Sequence, residues 1–124
     1  MNKPEFDVII AGTRTFNDYK LLNEKVSAIL KDKLQTHQVN IVCGLAKGAD
    51  TLGMRWAYQN DLYVKRFPAN WDLYGKRAGY LRNWSMASVA DACIVFWDGK
   101  SKGSKHMIDV ATRKGIPLRI IRYE

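Results

Sequence analysis

The residues best suited to chemistry in this sequence sit in three glycine-rich loops that also carry cations. The stretch Phe96–His106, FWDGKSKGSKH, follows a buried-looking run, ADACIVFW, and precedes a helix-like pattern from about Ser104. Its two glycines, two serines and three lysines are suited to holding an anion. Amides at a helix start have no partner within the helix, the helix dipole favours negative charge there, and glycine admits a ligand close to the backbone. Gly12-Thr13-Arg14, and Gly44 to Asp50 (GLAKGAD), share this grammar. The fold is therefore expected to be a platform for three loops.

Each candidate has a plain structural alternative. Arg14 lies two residues past the last core position of a strand, where phosphate or carboxylate contact competes with an ordinary surface role. Gly44 and Gly48 fit tight turns, yet Gly48-Ala49-Asp50 also places minimal side chains at a helix start, which suits close approach of a ligand to Lys47 and its neighbours. Asp50 can cap the helix or accept from ribose hydroxyls, and capping is the simpler role. Lys76-Arg77 and Arg82-Asn83 flank a helix start, where cations oppose the dipole unless an anion is bound. Asp98 and His106 are acid/base candidates beside Gly103 and Ser104, although a surface histidine is an equal reading of His106. Trp71, Tyr74, Tyr80 and Trp84 could stack on a base or pack under a loop. No His, Cys or carboxylate group has metal-site spacing, so neither metal nor cofactor is expected. GxxxxGK[ST] and GxGxxG are both absent, which argues against a P-loop and against the standard dinucleotide fingerprint.

The elements that must position these loops alternate. Continuous apolar runs at Phe6–Ala11, Gln38–Cys43, Tyr63–Phe67, Ala92–Trp97 and Leu118–Ile121 predict five strands. Between them, amphipathic spacing predicts four helices. The first is capped from Asn17-Asp18 and turns Leu22, Val26, Ile29 and Leu30 inward. The second runs to about Asn60 with Leu52, Trp56 and Ala57 inward, and the third spans Ala78–Ala90 with Leu81, Met86 and Val89 inward. The last spans Ser104–Lys114 and is stopped by Gly115 and Pro117. Residues 68–77 have no period and read as a loop. The alternation implies an α/β domain with a five-stranded, mostly parallel sheet and helices on both faces, in strand order 3-2-1-4-5 or 2-1-3-4-5. In either order, strand 1 borders the point where the winding reverses, the place where ligands bind.

The totals are compatible with this. A chain of 124 residues, 47% apolar and 26% charged, is expected to fold as one domain over 1–124. Its start lacks a signal-peptide pattern and no apolar run approaches a membrane span, so a cytoplasmic protein with no membrane partner is expected. Cys43 and Cys93 fall in apolar runs and read as buried free thiols. The net charge of +8 suits a phosphate-rich small molecule or nucleic acid, and the basic residues form no single tail or stripe.

The set AGTRTF, GLAKGAD, FPANWDLYGKRAGYLRNWSMA and FWDGKSKGSKHMI, in that order, resembles the small phage and bacterial YspA-like (cpYpsA-related) branch of the SLOG superfamily. That resemblance covers nearly the whole chain. It implies a Rossmann-like fold and binding of nucleotides or nucleotide-derived ligands, often in homodimers, in a group that includes LOG phosphoribohydrolases and DprA. Gly12, Thr13 and Arg14 match its first loop, and Gly44, Gly48, Ala49 and Asp50 its second. Arg82, Asn83 and Met86 match an RNxxM helix, and Gly103, Ser104 and His106 a GTxHM-like loop. Two departures stand out. The second loop usually reads GGARGAD, where this chain has Leu45 and Lys47. The LOG glutamate of PGGxGTxxE falls on Met107, and a thioether cannot act as acid or base. The resulting expectation is a receptor for a nucleotide-derived phosphate. The alternatives are an enzyme acting at an N-glycosidic bond through Asp50, Asp98 or His106, and a partner of nucleic acid or an RNA–protein complex. Replacing Arg14 or Arg82 by alanine is expected to weaken ligand binding with little loss of fold.

Overall fold

The structure is a computed structural model that describes residues 3–123. Five strands, β1 (Glu5–Gly12), β2 (Gln38–Cys43), β3 (Tyr63–Arg66), β4 (Ala92–Trp97) and β5 (Leu118–Arg122), form one parallel sheet in the order β3-β2-β1-β4-β5. This is the first of the two expected orders. The central strand β1 is shielded on both faces: Val8, Ile9 and Ile10 have no exposed surface. That explains its unbroken apolar run, because a parallel strand between two helical layers has no polar face.

One layer consists of α1 (Tyr19–Thr36) and α2 (Ala49–Gln59), which pack Leu22, Val26, Leu30 and Trp56 on Val8, Ile10, Ile41 and Phe96. The other consists of α4 (Ala78–Val89) and α5 (Lys102–Lys114), which bring Met86, Ala87, Met107 and Ala111 onto Ile9, Val42, Cys93 and Val95. Asp18 caps α1 by accepting from the Leu21 amide at 3.0 Å, and Gly115 ends α5 at φ 72°. Both cysteines are buried and free, and burial pushes the thiols up, to about 11 at Cys43 and about 12 at Cys93.

Three expectations need correction. Residues 68–77 are not all loop: Asn70 accepts from the Leu73 amide at 3.1 Å and starts a one-turn helix, α3 (Trp71–Tyr74), which runs into a 3-10 turn over Gly75–Arg77. Leu81 and Val89 face outward, because α4 packs through its small residues Ala78 and Ala87 together with Met86. The last helix starts two residues earlier than its apolar period suggests, since Ser101 Oγ accepts from the Ser104 amide and makes Ser101 the cap.

At the C-terminal ends of the strands, close packing of backbone fixes two glycines. A Cβ on Gly12 would lie 2.1 Å from the Phe96 carbonyl oxygen, so strands β1 and β4 could not approach as they do. Gly48 caps α2 at φ 77°, and a Cβ there would lie 2.4 Å from the Thr13 oxygen and 2.5 Å from that of Arg14. Gly103, by contrast, has open space around it. In urea denaturation, Gly48→Ala is expected to cost more than about 2 kcal/mol through combined strain and overlap. Gly103→Ala should stay within about 1 kcal/mol of wild type.

Candidate functional site

Thr13 ties the three loops together. Its amide donates to the Phe96 oxygen at 2.9 Å, and its carbonyl accepts from the amides of Phe16 at 3.1 Å and Ala49 at 3.3 Å. Its buried hydroxyl accepts from the Asp98 amide at 3.2 Å. The end of β1, the start of α2 and the loop after β4 are therefore joined at one residue. Asp98 continues the scaffold: its Oδ1 accepts from the amides of Lys100 at 2.8 Å and Ser101 at 2.9 Å, and these bonds hold its carboxyl below the usual range.

A polar cavity of about 320 Å³ opens where these loops meet, between β1 and β4. Gly12, Thr13, Arg14, Asp50, Arg82, Asn83, Asp98, Gly103 and Ser104 all line it, so nine of the anticipated residues converge on one space. Its remaining wall includes Thr15, Ser101 and Met107. Neither Thr15 nor Ser101 stands out in the sequence: the apolar period of the last helix begins only at Ser104, and Thr15 looks like an ordinary loop residue. Because Ser101 Oγ serves the Ser104 amide, the amides of Lys102 and Gly103 are left at the start of α5 without intrahelical partners.

Asp50 does not cap α2. Gly48 holds that position and contributes no side chain, while Asp50 is buried in the first helical turn with its carboxyl turned under the second loop. Oδ2 accepts from the Ala46 amide at 3.4 Å. Burial drives the Asp50 pKa up to about 6, against the pull of Arg82 and of the amides of Ala46, Gly12 and Gly44. Asp50 and Arg82 converge over Gly44, where an added Cβ would lie 2.7 Å from Asp50 Oδ2 and 2.8 Å from Arg82 Nη1. A side chain at Gly44 would therefore have to displace both of these groups.

Arg82 is held as well as available. Nη1 donates to the Gly44 carbonyl and Nε donates to Asn83 Oδ1 at 3.0 Å. Burial lowers the Arg82 pKa, Asp50 raises it, and the nearby Arg14 cation lowers it again. Arg82→Ala would therefore remove a tie between α4 and the β2 loop, which corrects the expectation that this change spares the fold. Arg14 makes no comparable tie: it is exposed and turned to the cavity.

The other anticipated residues are elsewhere. Lys76 and Arg77 are exposed on the 3-10 turn, outside the cavity wall. Lys47 and Gly44 line an adjoining hollow, and Ala49 is wholly buried beneath Gly12. His106 stacks on Tyr80 with ring centroids 4.2 Å apart, and its Nδ1 lies 3.1 Å from Asn83 Nδ2, so it supports the wall from behind. Burial lowers its pKa. Leu45 adopts φ 62°, a conformation that costs a residue with a side chain about 1 kcal/mol.

The raised Asp50 pKa has a defined sign. The folded chain takes up a proton near pH 6 that the unfolded chain takes up near pH 4, so this group adds stability as pH falls through that window and loses it as pH rises. Wild type should therefore gain stability relative to Asp50→Asn between pH 7 and pH 4, as measured by paired urea titrations. A constant difference between the two proteins across that range would show that Asp50 does not titrate there.

Comparison with known proteins places this geometry. The model of the YspA, cpYpsA-related SLOG family matches residues 6–74. "Gene 61 protein" of Mycobacterium phage D29 is 35% identical over 119 residues, covering 90% of this chain and 92% of its own. The X-ray structure of DNA processing protein A (DprA) from Streptococcus pneumoniae superposes with a TM-score of 0.73 at 19% identity, over 98% of this chain. This chain spans about half the length of DprA, and the likeness establishes a shared Rossmann-like α/β fold. Among the described residues, no helix is long and apolar enough to cross a membrane. From the matched family model and the phage relative together, the chain belongs to the YspA, cpYpsA-related SLOG family.

Proposed function

We propose that the chain is a receptor for a nucleotide-derived phosphate, held in the polar cavity at the sheet's reversal point. One observation carries this reading. Arg14 and Arg82, two like charges, line the same cavity as the open amide end of α5. A bound phosphate would relieve that repulsion and complete the hydrogen bonding of the Lys102 and Gly103 amides. Asn83, Asp98 and Ser104 supply the neutral and anionic acceptors that a ribose needs.

Binding rather than turnover fits the positions of the acid/base candidates. Asp50 is committed to the loop beneath the cavity, Asp98 Oδ1 is engaged by two amides, and His106 stands behind Asn83. Met107, which the LOG resemblance aligns with the catalytic glutamate, lines the cavity as a buried thioether. Membership of the family supports a nucleotide-related role, and its theme adds a homodimer to the proposal.

A second reading, binding of nucleic acid, is favoured by the net charge of +8 and by Lys100, Lys102 and Lys105 around a shallow groove beside the cavity. A thermal-shift panel of ribose 5-phosphate, nucleoside monophosphates and short oligonucleotides separates the two. A small phosphate at 100 times its Kd should add about 2.7 kcal/mol of stability, and Arg14→Ala should remove most of that shift while leaving the unliganded melting point unchanged. Stabilisation by oligonucleotides alone, falling steeply with salt, would favour the second reading. Conversion of the ligand to free base and sugar phosphate would make the protein an enzyme.

A further inference from the structure

A hollow of about 690 Å³ adjoins the polar cavity and shares Arg14, Ala46 and Arg82 with it. Its wall is built from different residue types. Beyond the shared arginines and Lys47, its wall is Leu45, Pro68, Ala69 and Trp71 together with Gly44. Leu45 is 40% exposed and Trp71 49%, although both are large and apolar and both face this space. Two unusual local features put them there. Leu45 occupies a left-handed backbone conformation that glycine would take without strain. Gly79 stands inside α4, where the Trp71 ring lies against it: a Cβ on Gly79 would be 3.3 Å from Trp71 Cη2 and 3.7 Å from Arg82 Nη2. Arg82's hydrogen bonds to protein use Nε and Nη1, so Nη2 is the arm of the guanidinium on the side of the indole.

The four aromatics of this region are thereby separated by role. Tyr80 packs on His106, and Trp84 lies under Lys114 with its side chain partly buried against the α4–α5 core. Tyr74 is exposed and, with Trp84, lines a separate hollow that Arg82 reaches but Arg14 does not. Trp71 alone of the four lines a hollow that also holds Arg14 and Arg82.

We infer that this hollow is a base subsite, in which a planar nucleobase stacks on Trp71 and rests on Leu45 while its phosphate is held between Arg14 and Arg82. This rests on the phosphate-receptor reading and adds a determinant for the aromatic part of the ligand. The physical case is continuity. A space walled by Trp71, Leu45 and Pro68 that shares two guanidinium groups with the adjoining loop-lined cavity fits a molecule with one flat ring and one anionic end. Trp71 stacks on any base with little regard to its edge, whereas the strained Leu45 contributes shape.

Calorimetric titration with adenosine monophosphate and with ribose 5-phosphate tests the subsite. Trp71→Ala is expected to weaken the nucleotide about tenfold or more and to leave ribose 5-phosphate within about twofold of wild type. Leu45→Gly should weaken the nucleotide while raising the melting temperature, a combination that a merely structural role would not produce. The inference is overturned if both variants bind the nucleotide as wild type does, or lose ribose 5-phosphate equally. In those cases the phosphate reading still stands, provided that Arg14→Ala abolishes binding of both probes. If wild type binds neither probe, the phosphate reading fails and the base subsite fails with it.

Discussion

The site depends on a single backbone junction. Thr13 uses its amide, its carbonyl and its hydroxyl to hold the end of β1 against β4, the start of α2 and the loop before α5. These segments are far apart in sequence, and each ends a strand or begins a helix that would otherwise leave unpaired backbone groups near the surface. Gly12 and Gly48 follow from the same junction, since only the absence of a side chain lets Phe96 and Thr13 come so close. The cavity is the space that remains once these contacts are made, and its polar lining is a consequence of the converging loop ends.

A second constraint lies one layer deeper. Asp50 and Arg82 reach each other's neighbourhood over Gly44, with Asp50 accepting from Ala46 and Arg82 donating to the Gly44 carbonyl. A buried carboxyl is costly unless it is hydrogen-bonded and offset by a cation, and the second loop provides the amides while α4 provides the charge. Arg82 therefore has two duties that cannot be separated by simple deletion, whereas Arg14 faces the cavity without a structural tie of this kind. The glycine, aspartate and arginine of these loops have a physical basis in close approach and charge balance.

Much of this was legible in the sequence. The five apolar runs, the helix stops and the three loops follow from local pattern, and the loop residues that line the cavity are largely those singled out by type and spacing. What was not legible depends on long-range packing. Either of two strand orders satisfies the same local pattern, and only the pairing of β1 with both β2 and β4 decides between them. Leu81 and Val89 were expected inside by size, yet α4 meets its neighbour through alanines. Asp50 has the composition of a cap but lies two residues past one, and His106 lies in the right segment but on the outer side of Asn83. Lys76 and Arg77 promised anion contact, but the 3-10 turn directs them away from the cavity.

The central claim is that the loop ends around Thr13 hold a phosphate. Amide NMR shifts on titration with ribose 5-phosphate test it most directly. The account predicts that the largest changes fall on Arg14, Lys102, Gly103 and Ser104, with Lys76 and Arg77 unmoved. Changes centred on Lys76 and Arg77, or spread evenly over the exposed lysines with the amides of α5 unaffected, would contradict it.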